Sequence, residues 1–186
     1  MKSWIDSRLG GAYPGHEVSL VFVRGLTADA VAQGLGGLRR QVLETGVAGE
    51  WTWAMHDSFA PEANDYDTAD YRPLCEGGGE AVVFMVEPCS AKTHSPDFTY
   101  YRDGRCVLHF SFEDVGQRVG DNPDHLSAEL LEAGLIGPDA YCELEDEDDG
   151  HDCFEHLDGR DDRLVSAIAS AFGLPSPPLA EEVAAG

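Results

Sequence analysis

The chain has 186 residues, of which 42% are hydrophobic and 25% charged, and a formal net charge of −23. That length suits a single domain able to bury a sizeable core without disulfide or metal staples. The charge argues against direct nucleic-acid or anionic-membrane partners, which draw their affinity from Lys and Arg, and it favours cations or a basic protein face.

Val18 to Val23, VSLVFV, is nearly continuous apolar sequence rich in β-branched residues. It reads as a strand buried on both faces and central in a sheet. Thr27 is placed to cap a helix, and Asp29 falls in its first turn, where the helix dipole favours a carboxylate. Val31, Leu35, Leu38 and Val42 continue at helical spacing, while Gly34, Gly36 and Gly37 weaken the helix and predict a break into two. Trp51 to Met55 alternates bulky and small residues as a strand does.

Ser58 to Gly79 is polar and carries Pro61, Pro73 and the glycines Gly77 to Gly79, which predicts a long irregular connection. Ala81 to Val86 is a second buried strand. FTYYRDGRCVLHFSF, Phe98 to Phe112, predicts a hairpin turning at Asp103-Gly104, whose residues suit the positive φ angles of a type I′ turn. Its second strand places Cys106, Leu108, Phe110 and Phe112 on a core face, with Val107, His109 and Ser111 opposite. Asn122-Pro123 predicts a helix start, Leu126, Leu130 and Leu131 its apolar stripe, and Gly134 its stop. A last helix from Asp161 buries Leu164, Val165, Ile168 and Phe172.

This order predicts an α+β fold: a mostly antiparallel sheet of about five strands with helices on one face. It is read as one domain, 1–186, with an acidic loop at 141–160 and a flexible C-terminal tail at 175–186. Five cysteines, an odd number with no Cys-x-x-Cys pair, do not suit a secreted disulfide framework. The N-terminal residues show no apolar run of signal-peptide length, and no segment approaches the ~20 apolar residues of a membrane span. A cytoplasmic location with reduced thiols is expected.

The densest chemistry lies in ELEDEDDGHDCFEHLDGRDD, Glu143 to Asp162. Eleven carboxylates face one cation, Arg160, so this stretch alone carries −10 of the total −23. Asp146, Glu147, Asp148, Asp149, Asp152 and Glu155 form a candidate docking surface for a basic protein. His151, Cys153 and His156 offer nitrogen and sulfur ligands at a spacing that a single turn could gather around zinc. A calcium hand aligned on Gly150 would place Glu145 first and His156 twelfth, where Asp and Glu are wanted, so calcium is not expected.

Other chemistry is sparser. Cys89, Ser90, His94 and His109 could supply a thiol and a base, but there is no Gly-x-Ser-x-Gly elbow. Gly34 to Gly37 and Gly77 to Gly79 match neither a dinucleotide fingerprint nor a phosphate loop, so no organic cofactor is called for. Trp51, Trp53, Tyr100 and Tyr101 sit where core aromatics sit, although a pocket over the sheet could also use them.

Three blocks resemble a known family. VFVRGLTADAV (Val21 to Val31), FTYYRDGRCVLHF (Phe98 to Phe110) and RVGDNPDHL (Arg118 to Leu126) followed by EAGL are similar to an actinobacterial domain family of unknown function. The terminal LVSAIASAFGL fits the same pattern. The resemblance implies a shared fold over His16 to Leu174 and no activity or site. The acidic stretch departs from the family pattern. Two functions follow as expectations: a non-enzymatic interaction protein, inhibitor- or immunity-like against a basic protein, or a metal-binding enzyme or metal-stabilised domain using His151, Cys153 and His156.

Overall fold

The computed structural model describes residues 18–58, 69–85, 96–140 and 159–175. Six strands are present: β1 (Val18–Arg24), β2 (Val42–Ala48), β3 (Trp51–Asp57), β4 (Glu80–Met85), β5 (Asp97–Arg102) and β6 (Arg105–Ser111). With them are helices α1 (Ala28–Gly37), α2 (Ser127–Glu132) and α3 (Arg160–Phe172), and 3₁₀ turns at Arg72–Cys75 and Pro138–Ala140. The strands form one antiparallel sheet in the order β2-β3-β1-β4-β5-β6. The fold is α+β as expected, with six strands where about five were predicted.

The central strand β1 is buried on both faces. Leu20 and Phe22 point into a layer shared with Leu130 of α2 and with Leu164, Val165 and Ile168 of α3. Val21 and Val23 point into the opposite layer, with Val31 and Leu35 of α1, Tyr71 at the start of the first 3₁₀ turn and Leu74 within it. The expected single helical face holds for α2 and α3, while α1 covers the other side. Each fully buried large side chain here contributes roughly 1.5–3 kcal/mol of burial.

Helix α1 begins where predicted: Thr27 Oγ1 accepts from the Ala30 amide at 3.3 Å. It stays in one piece and ends at Gly37. Gly34 packs directly on Leu74, leaving no room for a Cβ, so it serves helix contact rather than a break. Val42 is not helical. Arg39 takes a left-handed conformation (φ 59°) and turns the chain into β2, which the sequence reading missed. Leu38 and Val42 both pack on the α1 layer, which is why they matched a helical spacing.

The hairpin turns at Asp103 and Gly104, with φ of 51° and 70°. Its ladder contains an irregularity that the sequence reading did not foresee. Tyr100 pairs with Leu108 but Tyr101 pairs with Cys106, leaving Val107 as the extra residue of a β-bulge. Val107 therefore packs on the α2–α3 layer beside Leu108, and Cys106 is turned to the α1 side, away from the core face predicted for it. Helix α2 also starts later than Pro123. Asn122 N is held by Val107 O at 2.9 Å and Pro123 O by Arg118 Nε at 2.9 Å, so this stretch is committed to β6 before the helix begins.

Candidate functional site: a charge-paired cleft and an acidic ridge

Residues 113–124 run along the outer edge of β6 and are fastened to it. His109 and Val119 exchange both backbone hydrogen bonds, and Asp121 N donates to Cys106 O at 3.0 Å. Gly120 makes this approach possible. Its φ is 126°, and a Cβ there would stand 2.5 Å from Val107 O. The strap thus satisfies backbone groups of an edge strand that would otherwise be open to pairing.

Between Glu113 and Glu132 the strap and α2 carry Glu113, Asp114, Asp121, Asp124, Glu129 and Glu132 against a single cation, Arg118. Arg118 is folded inward, its side chain only 14% exposed, donating to Val115 O at 3.1 Å and Pro123 O at 2.9 Å. Asp124 beside it is 82% exposed. Arg118 Nη2 lies 3.4 Å from Asp124 Oδ1 and braces the strap from within, while Glu113, Asp114 and Glu132 are left exposed to solvent.

The same strap forms one wall of a cleft of about 620 Å³ on the α1 side of the sheet. Asp70, Arg72, Tyr101, Arg105, Cys106 and Asp121 line it. Asp70 and Arg72 flank Tyr71, whose ring goes into the core while its two neighbours line the cleft. Arg72 grips Asp70 in a fork, through Nε and Nη2, at 2.6–3.0 Å. This pairing holds the Asp70 carboxyl below the usual carboxylate range. Across the hairpin, Arg105 Nε meets Asp121 Oδ2 at 2.8 Å.

Tyr101 and Cys106, neighbours through the bulged ladder, add neutral groups. Burial pushes the Tyr101 phenol up to about 12. Burial, and then the nearby Asp121 carboxylate, raise the Cys106 thiol, with Arg72 opposing. The thiol is thus a hydrogen-bonding group and not an activated nucleophile. The cleft can recognise charge and shape.

Behind the cleft, the Tyr71 ring lies 6.3 Å from that of Tyr101 and reaches His56, which is fully buried. Burial lowers His56 to about 4 and raises the Tyr71 phenol. Arg40, also buried, donates from Nη1 to Ser58 O at 2.6 Å and adds positive charge near both rings.

Asp146, Glu147, Asp148, Asp149, Asp152 and Glu155, with His151, Cys153 and His156, all lie outside the described residues, as do Cys89, Ser90 and His94. The end of the acidic stretch is described: Arg160 opens α3 and donates to Phe112 O at 2.9 Å, and Asp161 and Asp162 occupy the helix's first turn. His109 bonds Thr99 Oγ1 at 3.0 Å. Of the four aromatics, Trp51, Trp53 and Tyr100 are core residues, and Tyr101 lines the cleft. Among the described residues no group of three or more His, Cys, Asp or Glu could hold a metal, and no helix is long and apolar enough to cross a membrane.

The sequence reading missed Asp70, Arg72, Arg105 and Asp121. Their only local signal is the charged–aromatic–charged alternation of Asp70-Tyr71-Arg72. No family model matches the chain, and no curated protein or solved structure is similar to it, so the family resemblance rests on the three sequence blocks alone.

Proposed function

We propose that this is a non-enzymatic binding protein that docks a basic protein through its acidic surface, as an inhibitor or immunity protein would. The observation that carries the reading is the ridge beside β6: its one cation, Arg118, is turned inward onto strap carbonyls and Asp124, while Glu113, Asp114 and Glu132 are exposed. Fixed charges of one sign steer a basic partner and need little reordering on contact. The stretch from Glu143 to Asp162 adds −10 further along the same chain. A cytoplasmic location accompanies this reading, supported by the odd cysteine count and the unpaired thiols of Cys75 and Cys106.

The test is capture of partners on the immobilised protein, followed by titration of each at low and high salt. Affinity should fall steeply with salt. It should also fall at least tenfold in a variant combining Glu113→Gln, Glu129→Gln and Glu132→Gln with neutralised Asp146, Glu147, Asp148 and Asp149. Salt-insensitive affinity, or binding retained in that variant, counts against the proposal. A second reading, a zinc-stabilised loop at His151, Cys153 and His156, is supported by ligand type and spacing.

A further inference from the structure

We propose that the cleft between the first 3₁₀ turn, the β5–β6 hairpin and the strap binds a small zwitterion of the α-amino-acid class. The carboxylate of the ligand would meet Arg105 and Arg72, and its ammonium group Asp121.

The charged lining points to this class. A cleft of about 620 Å³ is within the range of small-molecule sites. Its charged lining consists of Asp70, Arg72, Arg105 and Asp121, two of each sign, in a protein whose net charge is −23. A simple anion would be repelled by the field of the whole protein, and a simple cation would face two guanidinium groups. A zwitterion carries no net charge through that field and meets both signs at the lining.

The hydrogen-bonding inventory agrees. Arg72 presents Nε and Nη2 to Asp70, which leaves its Nη1 edge to donate, and its side chain is 57% exposed. Arg105 uses Nε on Asp121 Oδ2, so its Nη1 and Nη2 edge is directed elsewhere, and Asp121 keeps Oδ1 as an acceptor. Between the charge pairs, Tyr101 and Cys106 supply a neutral floor. That floor exists only because the bulge at Val107 brings Cys106 to this side of the sheet.

The test uses the full chain, isotope-labelled for NMR, titrated with the proteinogenic α-amino acids one at a time. N-acetyl and amide derivatives serve as probes with one charge removed. The expected result is saturable shifting of the Tyr101, Gly104 and Gly120 amides by at least one free amino acid. Either derivative of that amino acid should bind at least tenfold more weakly. Arg105→Gln should weaken binding at least tenfold and leave the remaining spectrum unchanged, because Arg105 is 71% exposed. Asp121→Asn is the second variant, with the same expectation. The proposal is overturned if no free amino acid shifts those amides, if shifts occur only away from the cleft, if the blocked derivatives bind as well as the parent, or if both variants bind as wild type does.

Discussion

The Tyr71 hydroxyl donates to His56 Nε2 across 3.0 Å, with both rings buried in the α1 layer. The direction is set by the other ring nitrogen. His56 Nδ1 lies 3.0 Å from the Asp57 carbonyl, which can only accept, so Nδ1 carries a hydrogen, and burial keeps the ring from taking a second one at neutral pH, which leaves Nε2 as the acceptor. The imidazole is therefore neutral, and both its nitrogens are used. Tyr71→Phe leaves Nε2 buried without a donor and should cost about 1–2 kcal/mol at neutral pH, read from urea denaturation.

Acid should destabilise the fold through the same histidine. Burial lowers its folded-state value from 6.5 to about 4. Above the unfolded value neither state binds the proton, and there is no penalty. As pH falls from about 6.5 to about 4, the unfolded chain takes up a proton that the folded chain refuses, and stability drops by up to about 3 kcal/mol. Denaturation curves of the wild type and His56→Gln between pH 7 and pH 5 check this. The wild type should lose stability across that window, and the variant, though weaker at pH 7, should show a flatter dependence.

Gly46 lies beneath the Trp53 ring, where an added Cβ would stand 2.4 Å from Cζ2. Gly46→Ala should therefore overpack the edge of the sheet and cost about 1–3 kcal/mol. Gly36 in α1 has nothing within 4 Å of the same added atom. Gly36→Ala should be neutral or stabilise by up to about 1 kcal/mol through helix propensity. The melting temperature should fall in Gly46→Ala and hold or rise in Gly36→Ala, which a general intolerance of glycine replacement would not produce.

Gly46 also marks the limit of what the sequence disclosed. β1 and β4 were legible because VSLVFV and AVVFMV are apolar and β-branched enough to be buried on both faces. The hairpin was legible because Asp103-Gly104 has turn chemistry of its own. β2, VLETGVA, has a glycine and a glutamate where a strand signal would be, and its place depends on Trp53 folding over it. The bulge that moves Cys106 depends on how β6 registers against β5 and against the strap. The cleft draws its charges from 70–72, 105 and 121, which no local spacing relates.

Arg118 is expected to hold the ridge together. Its guanidinium bonds two carbonyls of the strap from a position that is mostly buried. Arg118→Ala should cost about 1–3 kcal/mol, since charge-assisted bonds are lost and carbonyls are left unsatisfied. The loss should be local before it is global. Hydrogen exchange at the Val119, Asp121 and Asn122 amides, all donors to β6, should accelerate, while amides of β1 and β3 keep their protection. Equal acceleration throughout would mean that Arg118 supports the core and not the strap.

His151, Cys153 and His156 discriminate between docking and metal binding. A tetrahedral zinc held by soft ligands survives purification and stabilises the fold it closes, so chelation lowers the melting temperature. Divalent ions gathered loosely by many carboxylates are screened by salt and exchange away on dialysis. On the docking proposal, elemental analysis of protein dialysed at moderate salt should find far less than one metal per chain. Melting temperature should not respond to chelator, and His151→Ala and His156→Ala should melt as wild type does. One zinc per chain together with a chelator-sensitive melt would instead make the stretch a metal site. The carboxylates around it would then tune that ion, because each charge spent on a resident cation is one that a basic partner cannot use.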